Sequence, residues 1–233
     1  MNTIKNNKIA DCETCLLKLF CNQVLTPEEF DIIDRSAIQL KFVKGETLIK
    51  QGSSTTHIIY LSKGMVKHNY ESDSGKNLIL TISSAPYFLG GANIFNDGKN
   101  LFSIWAIDEC HACLIDIQAI KEVIRNNGEI SLRLFGLVSE MFKSSIFNFI
   151  TMAHKHVNGR IADIFIYLSK SVYKSDKFSL TLTRKELSEF AGVSPENVIT
   201  TLSRLHKEGI IKVDGKEIEI LNFDKLNHIS KTG

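Results

Sequence analysis

Five cysteines are the residues of this chain whose type and spacing best support chemistry. Cys12, Cys15 and Cys21 follow one another as C-x2-C-x5-C, and Cys110 and Cys113 form a second C-x2-C pair. Thiolates bind soft metals, and ligands this close together allow a short loop to wrap one metal centre. The odd number argues against a disulfide framework. The spacing therefore predicts a metal site on the three N-terminal thiols with a further ligand from elsewhere; the alternative is reduced thiols without a role.

A thiol enzyme is the second chemistry that these pairs could support. Thioredoxin-like motifs lie at the start of a helix in a βαβ setting, and neither C-x2-C pair has that setting. The chain also lacks a recognisable set of nucleophile, base and orienting residue. The pair Gly90-Gly91 is not part of any phosphate-binding loop pattern. These observations predict that the protein is not an enzyme.

The composition is that of a globular chain with one or two domains: 233 residues, 43% hydrophobic and 23% charged. No apolar run approaches the roughly 20 residues of a membrane span, and residues 1–15 lack the apolar region of a secretion signal. We therefore expect a cytoplasmic protein with no membrane partner. The net charge is only +2, but residues 155–216 hold eleven Lys and Arg against seven Asp and Glu. That surplus suits a nucleic-acid partner.

Residues 183–209 carry the start and stop signals of two short helices. Thr183 can cap the first helix, and Glu186, three residues later, completes a capping box. Gly192 ends that helix because the residue after a helix often needs a positive φ. Ser194 is a good N-cap for the second helix, and the proline after it is preset for the first helical position. Two helices joined this closely predict a helix-turn-helix, whose second helix enters the major groove of DNA.

The residues after this motif indicate a winged form of it. Two short apolar-rich strands, Ile210–Val213 and Glu217–Leu221, are joined by Asp214-Gly215, which is a strong hairpin-turn signal. The alternative is a helical hairpin in an unrelated domain. The residues predicted to contact DNA are Thr183, Arg184, Ser194, Glu196, Asn197, Ile199, Thr200 and Arg204.

Residues 37–116 have the pattern of short strands separated by glycines. Regular turns between short strands rich in β-branched residues predict a barrel or jelly roll. Thr26-Pro27-Glu28-Glu29 precedes it as another helix start, and this helix should extend to about Ser36. The predicted strands are Ile38–Phe42, Thr47–Lys50, His57–Leu61, Met65–Tyr70, Asn77–Ile82 and Trp105–Ile115.

A long helix is predicted from Glu129 to about His156, after a short one over residues 117–125. It carries two neighbouring stripes with heptad spacing; one should pack on its own domain, and the other is too apolar to face water. Burial against a second copy predicts a parallel two-helix dimer interface, and the alternative is a helix buried wholly within one chain. The predicted interface stripe is Leu134, Val138, Met141, Ser145, Asn148 and Met152, and the neighbouring stripe is Phe135, Phe142 and Phe149.

Together these elements predict an α+β chain with four parts. A helix over Arg160–Tyr173 and a strand over Phe178–Leu182 lead into the helix-turn-helix, and the polar residues 222–233 should fray. The predicted boundaries are 1–25 for the cysteine segment, 26–127 for the β-roll sensor domain, 128–158 for the dimerisation helix and 159–233 for the winged helix-turn-helix DNA-binding domain.

The order of these parts resembles the cyclic-AMP receptor protein and fumarate–nitrate reductase regulator (CRP/FNR) family along nearly the whole chain. The resemblance implies a β-roll like those that bind cyclic nucleotides and a homodimeric transcription regulator. It also implies a palindromic operator of double-stranded DNA, with half-sites about one helical turn apart, and RNA polymerase as a partner. The matching motifs are Lys44-Gly45-Glu46-Thr47-Leu48 with Gly52, Tyr60-x3-Gly64-x-Val66-Lys67, Arg160-Ile161-Ala162, and Leu182-Thr183-Arg184-Lys185-Glu186-Leu187.

Within that family, the N-terminal C-x2-C-x5-C resembles the FNR branch. There, three N-terminal cysteines and one from a late strand of the roll hold an oxygen-labile 4Fe–4S cluster. Aligned backward from Ile115-Asp116, Cys113 corresponds to the fourth ligand and Cys110 is the competitor. Residues three apart on a strand point to opposite faces, so only one of the two should reach the cluster. The implied ligands are Cys12, Cys15, Cys21 and Cys113.

A cyclic nucleotide is not expected as the ligand. The cyclic-nucleotide branch uses an acid and an Arg-Ser pair to clamp the phosphate, and the corresponding residues here are Gly91, Leu101 and Phe102. No charged clamp for a phosphate remains among them. The alternatives to the cluster are zinc in a four-cysteine site, bare thiols, and haem or nitric oxide at haem. The conceivable haem ligands are His57, His68 and His111.

Two departures from the family pattern bear on function. The family's recognition helix carries Glu and then Ser or Gly followed by an Arg that contacts guanine, whereas this chain has Glu196 followed by Ile199 and Thr200. Glu196 can accept a hydrogen bond from cytosine N4, and the other two can contact a thymine methyl group. Arg204, one turn on, can contact a base or a phosphate. The FNR branch also has an acid in the dimer helix where this chain has Ser145, so dimerisation here need not depend on redox state.

Overall fold

The computed structural model describes residues 24–90 and 98–233, apart from the side chains of Ser144 and Phe147. The predicted ligands Cys12, Cys15 and Cys21, together with Gly91, lie outside the described residues. Within the described part, the predicted order of β-roll, long helix and winged helix-turn-helix is confirmed.

Helix α1 (Pro27–Ser36) begins where the sequence predicts. Thr26 Oγ1 accepts a hydrogen bond from Glu29 N at 3.3 Å, and Glu29 Oε2 accepts one from Thr26 N at 2.9 Å. This capping box satisfies two backbone donors for which the helix has no internal partner. The strands that follow are β1 (Ile38–Phe42), β2 (Thr47–Ile49), β3 (His57–Lys63), β4 (Met65–Glu71), β5 (Asn77–Ser84), β6 (Tyr87–Leu89), β7 (Ser103–Ala106) and β8 (Cys110–Asp116).

In the described ranges these strands form two sheets. The first has the order β1-β8-β3-β6 with neighbouring strands antiparallel, and Cys113 on β8 lies opposite Gln39 on one side and Tyr60 on the other. The second has the order β2-β7-β4-β5. A core cluster draws on both sheets, as expected for a jelly roll. Its buried members are Ile59, Leu61, Val66, Leu89, Ile104, Ala106, Cys110 and Ala112.

The stretch Trp105–Ile115, predicted as one strand, is two strands, β7 and β8. The break is fixed by Met65, whose N–H donates to Asp108 Oδ1 at 2.7 Å and whose carbonyl accepts from Ile107 N at 2.9 Å. A Cβ on Gly64 would lie 2.5 Å from the Glu109 carbonyl oxygen, so only glycine allows the two segments to approach this closely. The contact joins residues far apart in sequence, which explains why local periodicity did not reveal the break.

A second core cluster joins the β1-β8-β3-β6 sheet to helices α1, α2 (Ile117–Asn126) and α3 (Gly128–His154). The predicted positions of the short helix and of the long one are thereby confirmed, with ends that differ by one or two residues. The buried members of this cluster are Leu25, Ile33, Tyr60, Cys113, Ile115, Val123 and Ile130.

The C-terminal part contains the predicted helices and the wing. The helix predicted over Arg160–Tyr173 is an α-helix that passes into one π-helical segment before Lys174, which has a left-handed backbone (φ 52°). The elements are α4 (Val157–Tyr167), the π-helix Leu168–Tyr173, β9 (Lys177–Ser179), α5 (Arg184–Ala191), α6 (Pro195–Lys207), β10 (Ile211–Asp214), β11 (Glu217–Ile220) and α7 (Phe223–Thr232).

The prediction that residues 222–233 fray is wrong, because they form helix α7. Asn222 caps it by accepting a hydrogen bond from Lys225 N at 2.9 Å. Leu226 is fully buried, and the helix lies so close to α4 that a Cβ on Gly159 would be 2.4 Å from the Gly233 carbonyl oxygen. Tertiary packing therefore stabilises this helix, which its mostly polar sequence did not predict.

The chain divides into two compact units. One comprises residues up to 66 together with 83–143, and the other comprises 67–82 together with 144–233. In the second unit, the Tyr167 hydroxyl donates to the Ile82 carbonyl, and Asn148 Nδ2 donates to the Leu80 carbonyl at 3.3 Å. The hairpin over residues 67–82 is thus packed with the helices that precede and carry the winged helix-turn-helix.

Candidate nucleic-acid interface and cysteine positions

The turn between α5 and α6 has the geometry that the sequence predicts. Thr183 Oγ1 accepts from Glu186 N at 3.1 Å, and Glu186 Oε2 accepts from Thr183 N at 2.8 Å, which completes the capping box. Gly192 has φ 62° and ψ 39°, a left-handed conformation that favours glycine. Ser194 Oγ accepts from Asn197 N at 3.3 Å and starts α6. A three-residue turn therefore sets the second helix against the first.

Helix α6 presents two clearly different faces. Val198, Leu202 and Leu205 are buried on its inner face, and Thr201 Oγ1 donates to Asn158 Oδ1 on α4 at 3.1 Å. The apolar contacts and this hydrogen bond fix the rotation of α6 about its axis, so the same side chains always face outward. The outward residues, all exposed, are Glu196, Ile199, Thr200, Ser203, Arg204 and Lys207.

The residues predicted to contact DNA are exposed, with one exception. Arg184 is half-buried, and its guanidinium donates to the Gly215 carbonyl at the tip of the wing at 3.3 Å. Burial lowers the pKa of Arg184 from its ordinary value, although an arginine remains charged at neutral pH. Arg184 therefore connects α5 to the wing, and the sequence did not reveal this role because Gly215 is 31 residues away.

The wing itself is a β10–β11 hairpin turning at Asp214-Gly215, where Gly215 has φ 59°. Its position relative to α6 is held by His206, whose Nδ1 accepts a hydrogen bond from Val213 N at 3.1 Å. The exposed cations around α6 and the wing are Lys185, Arg204, Lys207, Lys212 and Lys216. Cations spread along such a surface can neutralise DNA phosphates.

A half-buried ion pair anchors the start of α5 within the second unit. Lys67 Nζ lies 2.7 Å from Glu186 Oε1, and both side chains are mostly shielded from solvent. Burial opposes ionisation of Glu186, but the hydrogen bonds from Lys67 and Thr183 outweigh it and lower its pKa. Sequence analysis missed this pair because 119 residues separate its members. The only available signal was that Lys67 ends one of the family motifs.

Replacing Lys67 by methionine is expected to lower the free energy of unfolding by about 1–2 kcal/mol, because it leaves a partly buried carboxylate without its cation. The pKa of Glu186 is lowered in the folded state. Its ionised carboxylate therefore stabilises the fold at pH values above its unfolded pKa, about 4.3, and this stabilisation is lost as the pH falls through the folded-state pKa. In urea titrations from pH 7 to pH 3.5, the difference in free energy of unfolding between the native chain and Glu186→Gln should shrink below about pH 4.3. Lys63→Met is the matched control, since the Lys63–Glu109 pair is exposed and its loss should change stability little. Equal effects of both lysine substitutions would contradict this role.

Helix α3 exposes a different stripe from the one predicted as the dimer interface. Leu134 packs against the second core cluster, and Asn148 donates to Leu80. The other predicted members are also half-buried within their own chain, except Ser145, which is exposed. The neighbouring stripe is strongly exposed: Phe135 72%, Phe142 65% and Phe149 70%.

This exposed stripe continues with alternating steps of three and four residues, the spacing of a coiled-coil seam. Of its members, only Ser139 is half-buried, and the others face solvent. We call it the outer seam: Leu132, Phe135, Ser139, Phe142, Ile146, Phe149 and Ala153. A contiguous apolar strip of this kind marks an interaction surface. The outer seam is therefore better placed than the predicted stripe to meet a second copy, and Leu134 is a core residue.

The two cysteines of β8 lie on opposite faces of their sheet, as the strand geometry predicts. Cys110 belongs to the core cluster between the sheets, and its thiol donates to the Met65 carbonyl at 3.3 Å. Burial and the neighbouring Asp108 carboxylate raise the pKa of Cys110 to about 12. A thiol must lose its proton to bind a metal, so Cys110 is a poor ligand.

Cys113 faces the other way, into the cluster that contains Leu25. Its side chain is 7% exposed, and Val24 and Leu25 packed in the same cluster are the first described residues after the N-terminal cysteine segment. In the sequence, two residues separate Cys21 from Val24. Of the two β8 thiols, Cys113 is the one that shares a cluster with Val24 and Leu25.

The three histidines considered as haem ligands have other surroundings. His57 Nδ1 lies 2.9 Å from the Thr56 hydroxyl, and His111 Nε2 lies 3.3 Å from Glu109 Oε1. His68 is buried in β4, and burial lowers its pKa to about 4, which keeps it neutral. Among residues 24–90 and 98–233, no cluster of His, Cys, Asp and Glu has the arrangement of a metal site. No helix of these ranges is both long and apolar enough to cross a bilayer.

Known proteins match the chain over both of its main parts. A cyclic nucleotide-binding domain model matches residues 39–127, and a Crp-like helix-turn-helix domain model matches residues 159–229. The chain is 28% identical over 185 residues to the cAMP-activated global transcriptional regulator CRP of Haemophilus influenzae, covering 77% of this chain and 82% of that protein. For the protein of the same name from Pasteurella multocida the identity is 29%, over 77% and 88% of the two chains.

Solved structures agree on the fold. FixK2 from Bradyrhizobium japonicum superposes with a TM-score of 0.75 at 16% identity, covering 83% of this chain and 96% of that chain. A putative transcriptional regulator of the crp/fnr family from Eubacterium rectale gives 0.74 at 15% identity, covering 89% and 95%. The chain therefore belongs to the CRP/FNR family of transcriptional regulators, whose members bind DNA and act as dimers. The matched relatives are regulators and not enzymes, as predicted.

Proposed function

We propose that this CRP/FNR-family regulator controls transcription in response to oxygen or redox state. The sensor is an iron–sulfur cluster of the 4Fe–4S type, with Cys12, Cys15, Cys21 and Cys113 as its ligands. The observation that carries the proposal is the position of Cys113, which lies in the same apolar cluster as the residues that follow the N-terminal cysteines. When bound, such a cluster supplies iron–thiolate bonds that oxygen attacks.

The residues of this chain prepare that site in two ways. Cys113 belongs to an apolar cluster that includes Tyr60, Leu25 and Ile33, and apolar surroundings limit solvent access to a metal centre and tune its potential. Cys110 is a poor alternative ligand because its thiol is protonated and donates a hydrogen bond to the Met65 carbonyl on the opposite face of the sheet. Cys113 is then the single ligand that β8 provides to the proposed cluster.

The output side of the proposal is a symmetric dimer on DNA. Two copies associate through the outer seam of α3, and each presents one α6 helix to the major groove. The operator is then a palindrome of double-stranded DNA with half-sites about one helical turn apart. RNA polymerase is the proposed partner of the bound dimer.

A cyclic nucleotide is the competing signal, because the curated relatives from H. influenzae and P. multocida are cAMP-activated. The positions that correspond to the phosphate clamp argue against it here. Leu101 is 77% exposed and Phe102 is half-buried, and neither can pair with a phosphate. The same experiment can test both signals.

The test is anaerobic purification followed by iron, sulfide and zinc analysis, a visible spectrum, and binding to a pool of random DNA duplexes, before and after air is admitted. We expect about four irons per chain and a broad band near 400 nm that bleaches in air. DNA binding should be lost with the colour and should not respond to cAMP.

Each other outcome selects a different sensor. A colourless protein that takes up no iron on anaerobic reconstitution overturns the cluster, and one tightly held zinc makes the cysteines structural. A Soret band on adding haem points to a haem sensor. DNA binding that rises with cAMP would assign the roll to cyclic nucleotides.

A further inference from the structure

The outward face of α6 carries one exposed apolar residue, Ile199. Ile199 is 55% exposed, whereas Val198 beside it is buried. Its neighbours on the outward face are polar or charged: Glu196, Thr200, Ser203, Arg204 and Lys207. More than half of this branched alkyl group is therefore left in water instead of being packed within the chain.

Ile199 lies in the part of α6 that would contact base edges. In a helix-turn-helix the N-terminal residues of the second helix contact base edges, and Ile199 is the fifth residue of α6. It follows Glu196 by three residues, so the two side chains lie next to each other on the helix surface. The Thr201–Asn158 hydrogen bond and the Ser194 cap fix the orientation of this part of α6.

The chemistry of the face limits what it can recognise. Guanine is usually recognised by an arginine that donates two hydrogen bonds, and the first nine residues of α6 contain no arginine or lysine. Arg204 is the tenth residue of α6, and its Nε lies 3.9 Å from Glu208 Oε1. The major groove offers one apolar group on a natural base, the C5-methyl of thymine.

We infer that Ile199 determines operator specificity by packing against the C5-methyl group of a thymine in each half-site, next to the base pair that Glu196 contacts. This inference rests on the DNA binding of α6 and is independent of the proposed cluster. Contact between the two alkyl groups removes both from water, and this gain is absent when the base lacks a methyl group. Glu196 supports the arrangement as an acceptor for a cytosine amino group, because hydrogen bonds from its own backbone N–H and from Ser194 lower its pKa and keep it ionised.

The experiment compares thymine with uracil, which forms the same base pair and lacks only the methyl group. Operators are first selected from random duplexes with the full-length native chain, in the state that binds DNA. Each thymine of one half-site is then replaced by deoxyuridine in turn, and affinities are measured at fixed salt. At one thymine we expect uracil to weaken binding about fourfold, the effect of one buried methyl group.

The Ile199→Ala variant should lose this discrimination, with a thymine-to-uracil affinity ratio of about one. The substitution is on an exposed helix face and alanine is a good helix former, so the variant should melt like the native chain and keep the same salt slope. Leu221→Ala is the matched control: Leu221 is 53% exposed and lies outside α6, so this variant removes a similar alkyl group from the same unit and should keep the fourfold ratio.

Three results would overturn the inference while DNA binding stands. These are a native ratio of one at every thymine, a ratio that survives in Ile199→Ala, and a ratio that also disappears in Leu221→Ala. Failure to select any operator would instead contradict the DNA-binding function itself, so the two failures are distinguishable.

Discussion

Replacing Phe142 by glutamate is expected to convert the dimer into monomers at micromolar concentration. Phe142 lies in the middle of the outer seam and is 65% exposed in one chain, so the substitution should leave the fold of the single chain intact. In a parallel pair each protomer would lose one buried aromatic side chain, at about 1.5–3 kcal/mol each, and would gain a charge facing a like charge. The dimer dissociation constant should rise by about three orders of magnitude or more.

Ser145→Glu is the control that separates the two stripes of α3. Ser145 is exposed but belongs to the stripe first predicted as the interface. If the outer seam is the interface, this variant should remain dimeric, whereas Phe142→Glu is monomeric and binds operator DNA weakly because it contacts a single half-site. Sedimentation analysis of both proteins decides the matter. A monomeric Ser145→Glu beside a dimeric Phe142→Glu would restore the original stripe.

Replacing Cys113 by serine is expected to reduce the iron bound after anaerobic reconstitution from about four atoms per chain to less than one. A hydroxyl is a poor ligand for a soft iron–sulfur centre, and three remaining thiolates would hold it loosely. Iron and sulfide analysis together with the absorbance near 400 nm are the measurements. The same protein should lose the difference in DNA binding between anaerobic and aerated samples.

Cys110→Ser is the matched control, three residues away on the same strand. The serine hydroxyl can still donate to the Met65 carbonyl that the thiol contacts now, so this variant should fold and keep its iron. Loss of iron in Cys110→Ser with retention in Cys113→Ser would reverse the assignment of the two thiols. Loss in neither variant would place the fourth ligand elsewhere.

The helix-turn-helix could be predicted almost residue by residue because its signals are local. Thr183 with Glu186, Gly192, and Ser194 with the following proline each act within one turn of helix, and the structure contains all the corresponding caps. The same holds for the start of α1. Local signals of this kind do not need the rest of the chain to be effective.

The predictions that failed depend on contacts between distant residues. Helix α7 forms because Leu226 is buried against the rest of its unit, and its own sequence is mostly polar. The stripe on α3 is a subtler case, because two sets of positions one residue apart share the same heptad period. Periodicity predicted an interface on α3 but could not show which of the two stripes packs within its own chain, as Leu134 and Asn148 do. Which stripe meets a second copy stays a prediction.

The ion pair between Lys67 and Glu186 has a consequence for how such proteins can be recombined. The matched helix-turn-helix region begins at residue 159, which suggests a cassette that could be exchanged between relatives at that point. The compact unit, however, also includes residues 67–82. A hybrid that imports only residues 159–233 would separate Glu186 from the lysine that neutralises it. A functional chimera must therefore take two segments from the same parent protein, the β4–β5 hairpin and the C-terminal part.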